Sequence, residues 1–293
     1  MPEAHRQPAR RPGRLAAGDD RLRAHRGASL GCVQVGMLQA LDEAGIRPDL
    51  WVGTSVGAVN AAYMAGRPGP GGAEHLAGVW RRLHRRDVFP TPPLRALRSG
   101  GQGLVAPDNL ARLLRTHLPY RNLEDAPVPV TVVAVDVCTS ADVPLSQGPA
   151  VEAVLASAAI PGVFPPVAIG GRHFMDGGVV DNAPISHAVA LGATVVWVLP
   201  AGYACSLAEP PGSALAMALQ GLNVLVQRRL AHDLEVYGDR ADIRVVPPLC
   251  PVRVPPTDFS RSVELMGAAR LSTEQWLGAG MVGGPPPGLH DHR

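Results

Sequence analysis

The run Val128-Pro-Val-Thr-Val-Val-Ala-Val-Asp-Val137 constrains this chain more than any other ten residues. It is almost all apolar and β-branched, with no polar alternation, so as a strand it has no face to give to solvent. A strand covered on both faces belongs to an α/β architecture, with helices on each side of a mostly parallel sheet. The surrounding sequence supplies those helices. Apolar residues recur at helical spacing from Val33 to Leu41 and stop at Gly45, a C-cap glycine. An extended run at Pro48–Val52 precedes a small-residue helix, Ala58 to Ala65. Further on, a helix over 150–159, a strand-like Arg172-His-Phe-Met175, a helix over 183–191 and a second buried strand over 193–199 continue the alternation. A long helix around 213–237, a strand at 243–246 and a helix over 261–278 complete it.

Composition narrows the chemistry. All 27 Lys and Arg residues are arginine, so a Walker-A lysine, a pyridoxal-phosphate Schiff base and a serine–lysine dyad are excluded. A net charge of +2 gives no electrostatic case for a nucleic-acid partner. Cys32, Cys138, Cys205 and Cys250 stand far apart with no CxxC pair, the pattern of reduced core thiols in a cytoplasmic protein rather than of a zinc site. No run reaches the roughly 18 apolar residues of a membrane span. No apolar segment follows Arg10-Arg11, so export is not expected. The chain divides into a disordered or aberrant arm over 1–26, a folded unit over 27–279 (core blocks 27–199, helical extension 203–279) and a Gly/Pro-rich tail over 280–293.

The strongest local signal is Gly53-Thr54-Ser55-Val56-Gly57, set between an extended run and a helix. A serine there sits on a tight strand-to-helix turn, above the sheet and at a helix N-terminus that favours developing negative charge. The plainer reading is a glycine-rich turn with Ser55 as an N-cap. A nucleophilic serine needs a base. His187 and His232 lie downstream, but neither stands at the end of an expected strand, and His75, His84 and His117 read as solvated. His290-Asp-His292 belongs to the tail, and no metal site is assigned to it. Asp176 ends a strand-like run and precedes Gly177-Gly178, so its carboxylate projects from a sharp turn, although Asp-Gly-Gly also suits an ordinary β-turn. A desolvated carboxylate in a short hydrogen bond can take a serine proton. Asp136 and Asp181 are rival carboxylates.

Four blocks in order make residues 27–199 resemble a bacterial patatin-like phospholipase domain: Gly27-Ala-Ser-Leu-Gly31 with Val33–Leu41, the GTSVG elbow with Ala58–Ala62, Ala156-Ser-Ala-Ala-Ile-Pro-Gly-Val-Phe-Pro165, and Asp176-Gly-Gly-Val-Val-Asp-Asn-Ala-Pro184. The resemblance implies a three-layer α/β/α fold and hydrolysis of lipid acyl esters by a serine–aspartate dyad, with no histidine, metal or organic cofactor. Carried over by position, Ser55 is the nucleophile and Asp176 the base. The backbone N–H groups of Gly27, Ala28, Ser29, Leu30 and Gly31 correspond to the oxyanion loop. The alternatives are an impaired member of the family that binds lipid or a protein partner, and an α/β-hydrolase esterase with a histidine triad.

The chain departs from that pattern at one place. Where the family carries GGGxRG, this sequence reads Arg26-Gly-Ala-Ser-Leu-Gly31, and Ala28 tolerates positive φ poorly. The preceding Gly18-Asp-Asp-Arg-Leu-Arg-Ala-His-Arg26 is too charged for a central parallel strand, so the first strand is degenerate. Seven of the 27 arginines fall in residues 1–26, consistent with an out-of-frame or mis-started segment. Arginine-rich helices over 81–98 and 111–121 are candidates for peripheral membrane contact, against the blander reading of solvated faces.

Overall fold

Helix α1 (Gly31–Glu43) buries ten of its thirteen residues, so it is a central helix covered on most sides rather than a surface one. It follows a 3-10 turn over Ala28–Leu30. It ends where the Gly45 and Ile46 N–H groups return to the Asp42 and Leu41 carbonyls, a left-handed exit with Gly45 at φ 74°. The computed structural model describes residues 28–89, 105–201, 214–249 and 258–281, with Gly103, Pro210, Gly212 and Val254. The expectations for residues 1–27, including Gly27, for Cys205 and Cys250, and for His290 and His292 lie outside the described residues.

Strand β1 (Trp51–Thr54) leads into α2 (Val56–Ala65), followed by α3 (Gly72–Arg82), the single turn α4 (Arg85–Val88) and α5 (Asp108–His117). Strand β2 (Val130–Asp136) is buried at every residue, as its composition requires. A hairpin gives β3 (Asp142–Leu145); then come α6 (Ala150–Ser157), β4 (Val167–Ile169), β5 (Arg172–Asp176), α7 (Ile185–Ala190), β6 (Val195–Val198), α8 (Ala214–Tyr237), β7 (Asp242–Val245) and α9 (Ser262–Gly278).

The layered α/β architecture is the one expected. Parallel pairing holds for β1 with β2 and for β6 with β7, whereas β3 and β5 both run antiparallel to β2, and β4 antiparallel to β5. Register fixes which edge each strand occupies. β3 shares Val132 and Val133 with β1, and Ala134 and Val135 with β5. One backbone edge cannot serve two partners at one residue, so β1 and β5 lie on the same edge of β2, end to end. Two apolar clusters make the core, one drawn mainly from α1, α3 and α9, the other from α2, α5 and α6 against β2.

Three local expectations are corrected. The stretch 81–98 is not one helix: α3 stops at Arg82 with Leu83 extended, α4 is a single turn, and residues 90–102 lie outside the described residues. Within 111–121 the helix ends at His117, because Leu118 precedes Pro119 and takes an extended conformation. Cys32 is a core thiol, pushed up to about 12 by burial, but Cys138 is exposed in the turn after β2. Among the described residues no helix is long and apolar enough to cross a membrane.

The strand over 193–199 is present as β6, but it is only partly buried: Val198 is in the core, whereas Val195 is 44 % exposed. Its only partner among the described residues is β7, in a separate two-stranded sheet. β1 and β6, each paired on one edge among the described residues, flank a cavity of about 830 Å³, walled by Gln34, Leu38 and Leu41 of α1. This cleft separates the two sheets.

Candidate active site

The turn at Ser55 is as tight as the pentapeptide requires. Ser55 sits at φ 56°, ψ −128° between β1 and α2, a conformation that costs a non-glycine residue roughly 1–3 kcal/mol. The strand and helix approach so closely there that a Cβ on Gly53 would lie 2.5 Å from the Gly57 carbonyl oxygen. Surrounding bonds hold the strained residue. The Ser55 N–H donates to Ser157 Oγ at 3.0 Å, and the Ser157 hydroxyl donates to the Val133 carbonyl of β2 at 2.6 Å. Ser157, at the end of α6, is completely buried.

β2 brings the second group into place. Thr54 is the last residue of β1 and pairs with Val133, while Asp176 is the last residue of β5 and pairs with Ala134. Two strands running toward each other along one edge therefore finish at adjacent positions. Ser55 Oγ donates to Asp176 Oδ2 at 2.6 Å, and the other carboxylate oxygen accepts the Gly178 N–H at 2.7 Å. The Asp176 N–H is tied to the Ala159 carbonyl at 3.0 Å. Burial pushes the Asp176 carboxyl up to about 6, against the Ser55 and Gly178 hydrogen bonds that pull it down. Ser55 is only half-buried. The arrangement offers a reachable hydroxyl hydrogen-bonded to a carboxylate made basic by desolvation.

The donors expected from Gly27 to Gly31 are described from Ala28 onward. Ala28–Leu30 form a 3-10 turn continuous with α1 rather than an open loop. Gly31 abuts Val56, the first residue of α2, and a Cβ on it would lie 2.3 Å from Val56 Cγ2. The N-termini of α1 and α2 thus meet beside Ser55. Buried Asn60 ties them together, its amide donating to the Gly31 carbonyl at 3.1 Å and to Gln34 Oε1 at 2.9 Å.

The rival residues have other partners. Asp136 accepts Arg172 Nε at 2.6 Å and the Cys138 and Thr139 N–H groups; the Thr139 N–H first, then Arg172, hold its carboxyl down near 2. Asp181 is fully buried and caps the turn before α7 through the Ala183 N–H and the Ser186 hydroxyl. Burial, then the nearby Asp233, raises its pKa. His187 Nε2 lies 2.9 Å from Asp142 Oδ2, and His75, His84 and His232 are exposed. Asp142, Asp181 and His187 bring potential ligand atoms within 4.8 Å of one another, but the Arg229 charge already acts on Asp181 there. Sequence reasoning quoted Ser157 without giving it a role. Its one signal is a hydroxyl ending the otherwise apolar face of helix Ala150–Ser157.

A family model described as patatin-like phospholipase matches residues 27–189. An uncharacterized NTE family protein of Mycobacterium tuberculosis is 30 % identical over 163 residues, covering 55 % of this chain and 42 % of that protein. The mouse patatin-like phospholipase domain-containing protein 7 is 29 % identical over 182 residues, 60 % of this chain and 13 % of that protein. Lysophospholipase nte1 of Aspergillus terreus is 29 % identical over 180 residues, 60 % of this chain and 11 % of that protein. This chain therefore spans less than half the length of these relatives. The crystal structure of VipD from Legionella pneumophila is similar over 85 % of this chain and 65 % of that one, at a TM-score of 0.44 and 15 % identity.

Proposed function

We propose that this chain, which belongs to the patatin-like phospholipase family, is a serine hydrolase that cleaves acyl esters of lipids through Ser55 and Asp176. The observation that carries the reading is the 2.6 Å hydrogen bond from Ser55 Oγ to a buried carboxylate raised to about 6. Near neutral pH that carboxylate is ionised and still basic enough to accept the hydroxyl proton as the oxygen attacks the ester carbonyl. The carbonyl oxygen gains charge in the tetrahedral intermediate. In this reading the N–H groups at the start of α1 and α2, from Ala28 to Gly31 and at Val56, steady it. Collapse of the intermediate breaks the ester C–O bond, and protonated Asp176 returns its proton to the departing alcohol. Water, deprotonated by the same carboxylate, then releases the acyl group from Ser55. Lipid is the substrate class because the family model and a relative named lysophospholipase both point to it.

Turnover of a medium-chain nitrophenyl ester tests the pair. Ser55→Ala and Asp176→Asn are each expected to lose roughly 10⁴-fold or more in kcat, and retained activity in either removes the dyad. A second reading, a family member with impaired catalysis, is favoured by Ala28 and Leu30 and by the helical form of their turn. Stoichiometric labelling of Ser55 by a fluorophosphonate, with slow ester turnover, distinguishes it from the first.

A further inference from the structure

The charge of this chain is segregated rather than spread. Residues 81–121 carry nine arginines and two acidic residues, Asp87 and Asp108, a net +7 that leaves the rest of the chain at −5. A helix face that is merely solvated interleaves both signs. Here three arginines have an acidic neighbour: Glu74 lies 2.7 Å from Arg81, and Asp87 and Glu152 lie 4.0 Å from Arg86 and Arg115. Arg82, Arg85, Arg112 and Arg121 form no ion pair among the described residues. The intervening residues 90–104 contain no Asp or Glu.

Position gives this charge its meaning. α3 ends Trp80-Arg81-Arg82. Trp80 Nε1 donates to Asn60 Oδ1 at 3.0 Å, and its ring would lie 2.7 Å from a Cβ on Gly31, the residue that abuts Val56 next to Ser55. Further on, Phe89 stacks on Phe164 with ring centroids 5.7 Å apart. Phe164 belongs to the loop that follows Ala159, whose carbonyl holds the Asp176 N–H. Arg81, Arg82, Arg85 and Arg86 are strung between these two anchors, one beside Ser55 and the other on the loop that holds Asp176. Val88 and Phe89 are buried, whereas the Arg86 side chain is 81 % exposed. α5 extends the same surface: Asn109 Nδ2 donates to the Arg86 carbonyl at 2.7 Å, and Arg112 and Arg115 are exposed. Burial, then the Arg67 and Arg82 charges, lowers the pKa of His117, so the arginine end of α3 reaches α5 as well.

We propose that the arginine face formed by the end of α3, α4 and α5 docks on an anionic lipid surface and so brings the Ser55 end of the sheet to the bilayer. Guanidinium groups pair with phosphate oxygens through two-point hydrogen bonds, and a bilayer presents many phosphates in one plane. The field of an anionic leaflet falls off within a Debye length, so the charge of the docking face counts and the small total of +2 does not oppose it. The choice of lipid rests on the reading of Ser55 and Asp176 as an acyl-ester pair. The test reads binding, so the two can fail separately.

Co-sedimentation with large vesicles is the test, using the full chain with Ser55→Ala so that nothing is hydrolysed. Vesicles of phosphatidylcholine with about 30 mol % phosphatidylglycerol should bind saturably, phosphatidylcholine alone roughly hundredfold more weakly, and about 0.5 M NaCl should release the chain. Arg82→Gln, Arg86→Gln, Arg112→Gln and Arg115→Gln together should weaken binding to the anionic vesicles roughly hundredfold, with an unchanged melting temperature. Arg47→Gln, Arg228→Gln, Arg240→Gln and Arg261→Gln, at four exposed arginines elsewhere, remove the same total charge and should change binding less than about threefold. Three results overturn the proposal. One is binding that does not favour the anionic vesicles. Another is an equal loss from the two sets of four. The third is tighter binding of a duplex oligonucleotide than of the anionic vesicles, which makes the face a nucleic-acid site. Vesicle binding as expected, from a chain whose parent cleaves no ester, would remove the hydrolase reading and leave the docking face standing.

Discussion

β2 and β6 are built from similar residues, Val-Thr-Val-Val-Ala-Val-Asp in one and Val-Val-Trp-Val in the other, yet they stand in different surroundings. Every residue of β2 is buried, with strands on both edges. β6 has one neighbour among the described residues, and Val195 is 44 % exposed. Apolar, β-branched composition makes a strand able to be central without making it so; that depends on what the rest of the chain places alongside. In this molecule the completed half of the sheet carries the polar pair, and the incomplete half borders the cleft.

The sharpest way to break the contrast is to place the same charge in each half. Val133→Asp, at a fully buried residue of β2, should cost more than about 3 kcal/mol because the carboxylate has no partner. Loss of the folded state by circular dichroism is the check. Val195→Asp should change stability by less than about 1 kcal/mol in a denaturant titration, since water already reaches it. A comparable loss in both variants would mean that the cleft is closed in solution. A smaller effect is expected from Ser157→Ala, which removes the link between the strained elbow and β2. It should lower kcat roughly 10–100-fold with KM little changed, Ser157→Thr recovering part of it. Equal losses in kcat and melting temperature, unrelieved by threonine, would mark Ser157 as packing alone.

The pH dependence is milder. With Asp176 at about 6, kcat/KM should fall tenfold per pH unit below that value and be level above it. Stability moves the opposite way. The folded-state pKa lies above the ordinary value of 3.8, so this group's contribution is full below about 3.8 and is lost as pH rises through about 6. Asp176→Asn should therefore melt higher than the parent chain at pH 7–8 and show no such advantage at pH 3.5. A parent that gains stability on passing from pH 4 to 7 relative to the variant would reverse the assignment.

What could be read in advance divides along the same lines. The elbow was legible because a tight turn between a strand and a helix is a local event, written in five consecutive residues. β2 was legible because an unbroken apolar run of that length has no other comfortable place. Asp176 stood out as a turn residue at a strand end, and four blocks in order singled it out. Its position one residue from Thr54 along β2, however, depends on β1 and β5 sharing an edge, a long-range pairing with no local signature. Ser157 was missed because a serine in an apolar helix looks like tolerated polarity until its two hydrogen bonds are seen. The burial of 193–199 was misjudged because cover comes from partners and not from the strand itself.

The meeting of β1 and β5 on one edge of β2 also says when the site comes into being. Ser55 and Asp176 are 121 residues apart in sequence, and closing a loop of that length is an entropic cost met only after much of the sheet exists. The elbow and the β2–β3 hairpin are local and form early; the contact between hydroxyl and carboxylate comes after them. Reactivity of Ser55 toward a fluorophosphonate during refolding should therefore lag the recovery of secondary structure, which makes labelling of that serine a clock for completion of the sheet.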